Sequence, residues 1–270
     1  MTRARIITIS IIVLTLTQST IADIYDDAKV IAVSGGEDHT LVLTANKWLW
    51  GAGDNYFYQL GIGDNRQSQY FLVRVHDGDI NTPSGYLEDI NDISAGWTHS
   101  LALDVNGCVL AWGYNDQGQI GVNDVSPRYT PARVLGPNGI GFLDGIVAIA
   151  AGRSGKHSLA LDVNGHCWSW GYGGYGQLGN GQIYNQYVPV QVHAGQQDIN
   201  NPGFPLAGIV SISGGETHSV AVDINGFVYA WGNNLLKGGR GRLGHGSTVT
   251  QENRPVFVHA GEQNSGNPTV

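Results

Sequence analysis

The sequence predicts an all-β protein of β-propeller-type blades, each of four short antiparallel strands, with four blades forming an incomplete or open ring. Three observations predict it. One phrase is written four times: Gly36-Glu37-Asp38-His39-Thr40, Gly96-Trp97-Thr98-His99-Ser100, Gly152 to His157-Ser158, and Gly215-Glu216-Thr217-His218-Ser219. Each is followed by a Trp-Gly pair at Trp50, Trp112, Trp170 and Trp231. The histidines lie 60, 58 and 61 residues apart, a period that marks a repeat architecture. A residue present in every copy has the same packing role in every copy, so His39, His99, His157, His218 and the four tryptophans are read as scaffold.

The second copy shows the unit. Ile93-Ser94-Ala95-Gly96 is a short strand ending in glycine. His99, Leu101 and Leu103 alternate with Ser100, Ala102 and Asp104, the period of a half-buried strand. Asp104-Val105-Asn106-Gly107 turns the chain, because Asn and Gly both tolerate positive φ. Cys108 to Trp112 returns as an apolar run, Gly113 breaks it, Gln117 to Gly121 turns again, and Thr130-Pro131-Ala132-Arg133-Val134 forms an outer strand. Four strands repeated in this way make a propeller blade. The first copy spans 11 residues from His39 to Trp50 where the others span 13, which predicts a hairpin shortened at Ala45-Asn46-Lys47. The third copy adds residues at Arg153-Ser154-Gly155-Lys156, and the fourth is expanded between Leu235 and Gly244.

Residues 1–22 read as a secretory signal. Arg3 and Arg5 precede the apolar run Ile6 to Leu16, and Thr20-Ile21-Ala22 offers small residues for cleavage after Ala22. That run is too short for a stable membrane span. Residues 23–29 form a short linker, the four repeats occupy 30–89, 90–145, 146–208 and 209–259, and 260–270 is a linker cut short. There Ala260-Gly261-Glu262-Gln263 repeats Ala194-Gly195-Gln196-Gln197. Charged residues are only 13% of the chain, glycines number 40, and the net charge is -8; removing the signal makes it more acidic. An acidic surface repels phosphate backbones, so no nucleic-acid partner is expected. Cys108 and Cys167 lie four and three residues before their tryptophans; that parity difference points them to opposite faces, as two buried free thiols.

This pattern resembles the regulator of chromosome condensation repeat. The match rests on Ser94 to Leu103, Gly107, Ala111-Trp112-Gly113-Tyr114-Asn115 and Gly118-Gln119-Ile120-Gly121, with the third and fourth copies in register. The resemblance implies a propeller that usually closes with seven blades. Four would leave two exposed edges, unless they close tightly or pair with another chain, a homo-oligomer through open blade edges. It also implies a choice of functions. A nuclear nucleotide-exchange role conflicts with the signal sequence. An ultraviolet-absorbing tryptophan cluster of Gly-Trp-Arg-His motifs is matched only by Trp97, in Gly-Trp-Thr-His. Secreted family members that bind other proteins fit best.

No catalytic arrangement stands out: the chain has no Gly-x-Ser-x-Gly elbow, no His-Glu-x-x-His and no phosphate loop. No cofactor or metal is expected. The four histidines are expected to hydrogen-bond the backbone of their own blades, since zinc needs converging ligands. The Asp-x-Asn-Gly turns at Asp104, Asp162 and Asp223 resemble the start of a calcium loop but lack its Glu at position twelve. The expected partner-binding residues are those that differ between copies: Trp97, Arg153, Lys156, Lys237, Arg240, Arg242, Tyr56, Phe57 and Tyr58, because aromatic and Arg residues anchor interfaces. The sequence reading is therefore a secreted, non-catalytic scaffold for an unknown protein. Two alternatives stay open: an exported carbohydrate-binding protein or enzyme using Tyr56, Tyr58, Tyr172 and Tyr175, and a fragment of a longer propeller.

Overall fold

The computed structural model describes residues 29–259, apart from 64–65, 81, 83 and 237–238. The signal sequence, the final linker and Lys237 lie outside the described residues. Four antiparallel sheets follow one another along the chain. Blade 1 is β1 (Val30–Gly35), β2 (His39–Thr44), β3 (Leu49–Gly53) and β4 (Gln69–Arg74). Blade 2 is β5 (Ile90–Ala95), β6 (His99–Asp104), β7 (Val109–Gly113) and β8 (Arg128–Arg133). Blade 3 is β9 (Ile146–Ala151), β10 (His157–Asp162), β11 (Cys167–Gly171) and β12 (Gln186–Gln191). Blade 4 is β13 (Ile209–Gly214), β14 (His218–Asp223) and β15 (Val228–Asn233); the expanded loop then adds the ribbon β16 (Leu235–Leu236) and β17 (Gly239–Arg240) before β18 (Gln251–Phe257). Among the described residues no strand of blade 4 pairs with blade 1, so the ring is not closed.

The first hairpin is not shortened. Leu43 faces Leu49 across it just as Leu103 faces Val109, and His39 faces Gly53 just as His99 faces Gly113. Trp50 therefore occupies the slot of Leu110, and the slot of Trp112 holds Ala52. The first Trp-Gly pair sits two residues out of register with the others. Lys47 takes the place of the turn glycine Gly107, with φ 65 against 82, a left-handed conformation that costs a side-chain-bearing residue some strain. The later turns are locked by their aspartates. Asp104 Oδ1 accepts the N–H groups of Asn106 and Cys108, and Asp162 and Asp223 repeat the arrangement.

The cores lie between the sheets. Leu41, Leu43 and Leu49 of blade 1 pack against Ile90, Ile93, Leu110 and Trp112 of blade 2. Leu101, Leu103 and Val109 meet Ile146, Ile149 and Trp170 in the same way, and Leu159, Leu161 and Cys167 meet Ile209, Tyr229 and Trp231. Strand faces thus alternate between two neighbouring cores.

A polar relay crosses each junction beside the core. His39 Nε2 meets Ser100 Oγ at 2.9 Å, and Ser100 Oγ donates to the Gln59 carbonyl at 2.7 Å. Trp112 Nε1 donates to that same carbonyl at 2.9 Å. His99–Ser158–Gln119–Trp170 and His157–Ser219–Gln177–Trp231 repeat it. The histidines therefore bond the next blade, not the backbone of their own. Each serine gives its single proton to a carbonyl, so the histidine must donate from a neutral Nε2–H tautomer. Nδ1 of His39, His99 and His157 is buried without a partner. Burial drives these imidazoles far below their ordinary pKa, to about 4 for His39 and about 3 for His99 and His157.

Both cysteines are free, but only Cys167 is buried; Cys108 is partly exposed just before β7. Burial, with Asp162 nearby, pushes the Cys167 thiol up, which suppresses its reactive thiolate. In native protein iodoacetamide is expected to modify Cys108 well before Cys167, followed by intact mass. Equal rates, or mass evidence of a bridge, would contradict this placement.

Candidate functional site

The loops that differ between copies gather at one end of the molecule. In an antiparallel four-stranded blade, the first and third connections emerge at the same end, and the Asp-x-Asn-Gly hairpin emerges at the other. The Gly-x-x-His loops and the loops after each β3-type strand therefore share one face. Glycine is needed at Gly36, Gly96, Gly152 and Gly215, where an added Cβ would fall within 2.2–2.9 Å of the histidine ring of the same loop.

On this face Lys156 is the hub. The extra residues of the third copy carry its ammonium to Asp116 Oδ2 at 2.7 Å, and over the rings of Trp97 and Tyr114, each 5.3 Å away. Phe57 packs on Tyr114 at 4.6 Å, and Tyr56 packs edge-on to Phe57 at 5.0 Å. A band of Tyr56, Phe57, Tyr114, Lys156 and Trp97 thus runs across blades 1, 2 and 3. Ser154 Oγ donates to Glu37 Oε2 at 2.6 Å, tying the third copy's loop to the first.

Beside the band is a cavity of about 360 Å³ lined by Trp97, Gln117, Ser154, Lys156, Tyr172, Tyr175 and Glu216, among others. Tyr172 and Tyr175 stand edge to face, 5.9 Å apart. Trp97 is 38% exposed and Tyr175 equally so. The cavity offers aromatic faces, one cation already matched by Asp116, and the carboxylate of Glu216. It can hold an apolar or planar group with a few polar contacts, the usual composition of a recognition pocket.

Several expected residues join this site and others do not. Trp97, Lys156, Tyr56 and Phe57 belong to it. Arg153 is exposed in the same loop as Lys156. Arg242 bonds Thr217 Oγ1, next to the cavity in blade 4. Tyr58 does not take part as a free anchor: it is 4% exposed, takes φ 65 in the slot of Gly118, and stacks on Tyr129 at 4.2 Å. Arg240 lies in β17 of the ribbon. Tyr114, Asp116 and Glu216 were missed as site residues. Tyr114 follows Gly113 where strand register places Asp54, Tyr172 or Asn233 in the other copies, so variation between copies contained the signal.

Comparison with known proteins agrees with this architecture. Models of the regulator of chromosome condensation (RCC1) repeat match residues 30–59, 90–119, 146–177 and 209–236, and in a second form 106–161 and 164–222. The chain belongs to the RCC1 repeat family. The RCC1 repeats here are 31% identical over 237 residues to the human "Probable E3 ubiquitin-protein ligase HERC6", covering 86% of this chain and 20% of that protein. They are 27% identical over 238 residues to the ultraviolet-B receptor UVR8 of Arabidopsis thaliana, covering 87% and 47%. The chain thus spans less than half the length of these relatives. Among solved structures, human WBSCR16 and Prp20p of Saccharomyces cerevisiae both superpose with TM-score 0.66 at 24% identity. The superpositions cover 85% and 86% of this chain, and 52% and 51% of those proteins. Prp20p is described with its binding to Gsp1p and histones; at this identity the likeness speaks for the RCC1 fold alone.

Proposed function

We propose that the chain is an exported, non-catalytic scaffold that binds another protein through the face bearing Trp97, Lys156 and Tyr175. One observation carries this reading. Side chains that the repeat does not need, drawn from different blades, meet around one cavity. The shared residues, by contrast, are used up in holding blades together. A rigid blade stack presenting variable loops suits recognition. Exposed aromatic rings preordered by packing, here Trp97 beside Lys156, are typical anchors for a protein partner.

Affinity capture with the mature chain is expected to retrieve a specific protein, and a Trp97→Ala, Tyr175→Ala variant is expected to lose it. The loss corresponds to roughly 2 kcal/mol or more per anchor, while the melting temperature stays close to wild type, because both rings are partly exposed. Retention of the partner by the variant would sink this assignment of the site. Export is checked by the N-terminus of the recovered protein: a chain beginning at Asp23 in the medium is expected, and an intact Met1 on cytosolic protein would contradict it. A second reading, carbohydrate binding, is favoured by the paired rings of Tyr172 and Tyr175 in the cavity. A glycan array showing sugar binding that Tyr175→Ala removes would replace the protein partner with a sugar.

A further inference from the structure

The three internal junctions share one chemistry, and each end of the arc displays half of it. The outward face of blade 4 carries the giving half. His218 stands where His39, His99 and His157 stand, partly exposed, and among the described residues no hydroxyl meets its Nε2. The carbonyl of Arg242 occupies the place of Gln59, Gln119 and Gln177. Its turn is held as theirs are: Asn234 Oδ1 accepts Leu243 N–H at 3.0 Å, as Asn115 accepts Ile120 N–H at 2.9 Å. Gly244 takes φ 66, matching Gly61, Gly121 and Gly179. Those three glycines lie against the indole of the next blade's tryptophan, whereas Gly244 meets only Val258. Val220, Val222 and Val228 remain partly exposed in positions where Leu101, Leu103 and Val109 are buried.

The outward face of blade 1 carries the receiving half. Thr40 holds the slot of Ser100, with its side chain exposed. Val33, equivalent to the buried Ile93, is 70% exposed. The outer strands of blades 2, 3 and 4 are each covered by the 3-10 turn that follows the preceding blade, at Gly78–Ile80, Pro137–Gly139 and Gly195–Asp198. Each of those strands also carries a proline, Pro131, Pro189 or Pro255. β4 has Leu72 at that position and leaves Tyr70 and Phe71 exposed at 92% and 85%. Among the described residues no such turn covers this proline-free, aromatic edge, and an edge of that kind is an association surface.

We propose that a second copy of this chain docks head to tail, with its blade 1 seated on blade 4 of the first. His218 then donates to Thr40 of the second copy, and Val33 enters the apolar surface of Val220, Val222 and Val228. The two faces differ from one another and each lacks what the other supplies, so the contact is heterologous. Two copies joined at both ends supply eight blades, within the roughly 4–8 of closed propellers. Ala52 fits imperfectly, since no indole reaches the Arg242 carbonyl or covers Gly244, and Val42 is bulkier than Ala102, Ala160 and Ala221 at the internal junctions.

Sedimentation of the full chain across a dilution series tests this. Reversible dimerisation is expected; a strict monomer would overturn the proposal and assign the vacant faces to further repeats. Val33→Asp and Val222→Asp should each weaken self-association by roughly tenfold or more, at unchanged circular dichroism. Mixing the two variants should restore dimerisation through one intact junction, blade 1 of the Val222→Asp copy on blade 4 of the Val33→Asp copy, with affinity between that of wild type and the single variants. A mixture that stays monomeric overturns the head-to-tail geometry. Ala52→Trp should tighten the dimer by roughly tenfold, and an unchanged or weaker dimer would show that the junction is not built like the internal ones.

Discussion

Acidification from pH 7 to pH 4.5 is expected to remove on the order of 5 kcal/mol of stability, comparable to the whole stability of many domains. The cause is the ladder of neutral histidines. His39, His99 and His157 titrate near 6.5 when unfolded, but burial holds them down to about 4, about 3 and about 3 in the folded protein. Between those values the unfolded chain binds more protons than the folded one, so stability rises with pH through the window and is complete above about pH 6.5. Each group contributes a slope of up to about 1.4 kcal/mol per pH unit. The proton added on acidification goes to Nδ1, which has no acceptor in its pocket. Asp124 and Asp162, whose pKa values are lowered, act in a separate and more acid window, below about pH 4. Urea midpoints measured at intervals from pH 8 to pH 4.5 would show the dependence, and His99→Gln should flatten it by one proton. A flat profile over that range would mean that the imidazoles are not buried as described.

Trp170→Ala is expected to cost roughly 3–5 kcal/mol. Trp170 is fully buried at the junction of blades 2 and 3, its Nε1 bonds the Gln119 carbonyl, and its indole fills the space over Gly121. Truncation leaves a cavity beside the Gly121 turn, among the packed side chains of the blade 2–3 junction. Trp170→Phe retains most of the ring and loses the hydrogen bond, so a smaller cost of roughly 1–2 kcal/mol is expected. Denaturant titration at pH 7.5 separates the two, provided the slope of unfolding free energy on denaturant stays constant. A Trp170→Ala variant within 1 kcal/mol of wild type would show that the indole does not hold the junction. Blade 1 already carries the small residue Ala52 at this position, on a face with no neighbouring blade among the described residues.

The strands were legible in the sequence because their signals are local. Alternation along His99 to Asp104 and the Asn-Gly turns each reside within a few residues, and the described sheets follow them. Trp50 was misread because a Trp-Gly pair recurs in blade 1 two residues from its structural counterpart; only strand register distinguishes the two. The histidine partners were illegible for a different reason. Ser100 is 61 residues from His39, and nothing local tells the face a ring uses from the neighbour it will meet. The candidate face was half legible. Variation between copies selected Trp97, Lys156 and Phe57, which do converge. The same criterion also selected Tyr58, which fills a left-handed turn position and is buried, because variation alone does not separate a binding side chain from a packing one.

The relay has a consequence for how such chains change length over generations. In blades 2 and 3 the histidine that reaches forward and the serine that reaches back are adjacent residues, His99-Ser100 and His157-Ser158. One dipeptide is thus both plug and outlet. Unequal crossing-over that removes or inserts a whole period brings together a histidine and a serine that have never been neighbours, yet the bond they form is the one already present. The number of units can drift without any new contact having to be invented, and selection is left to act on the loops.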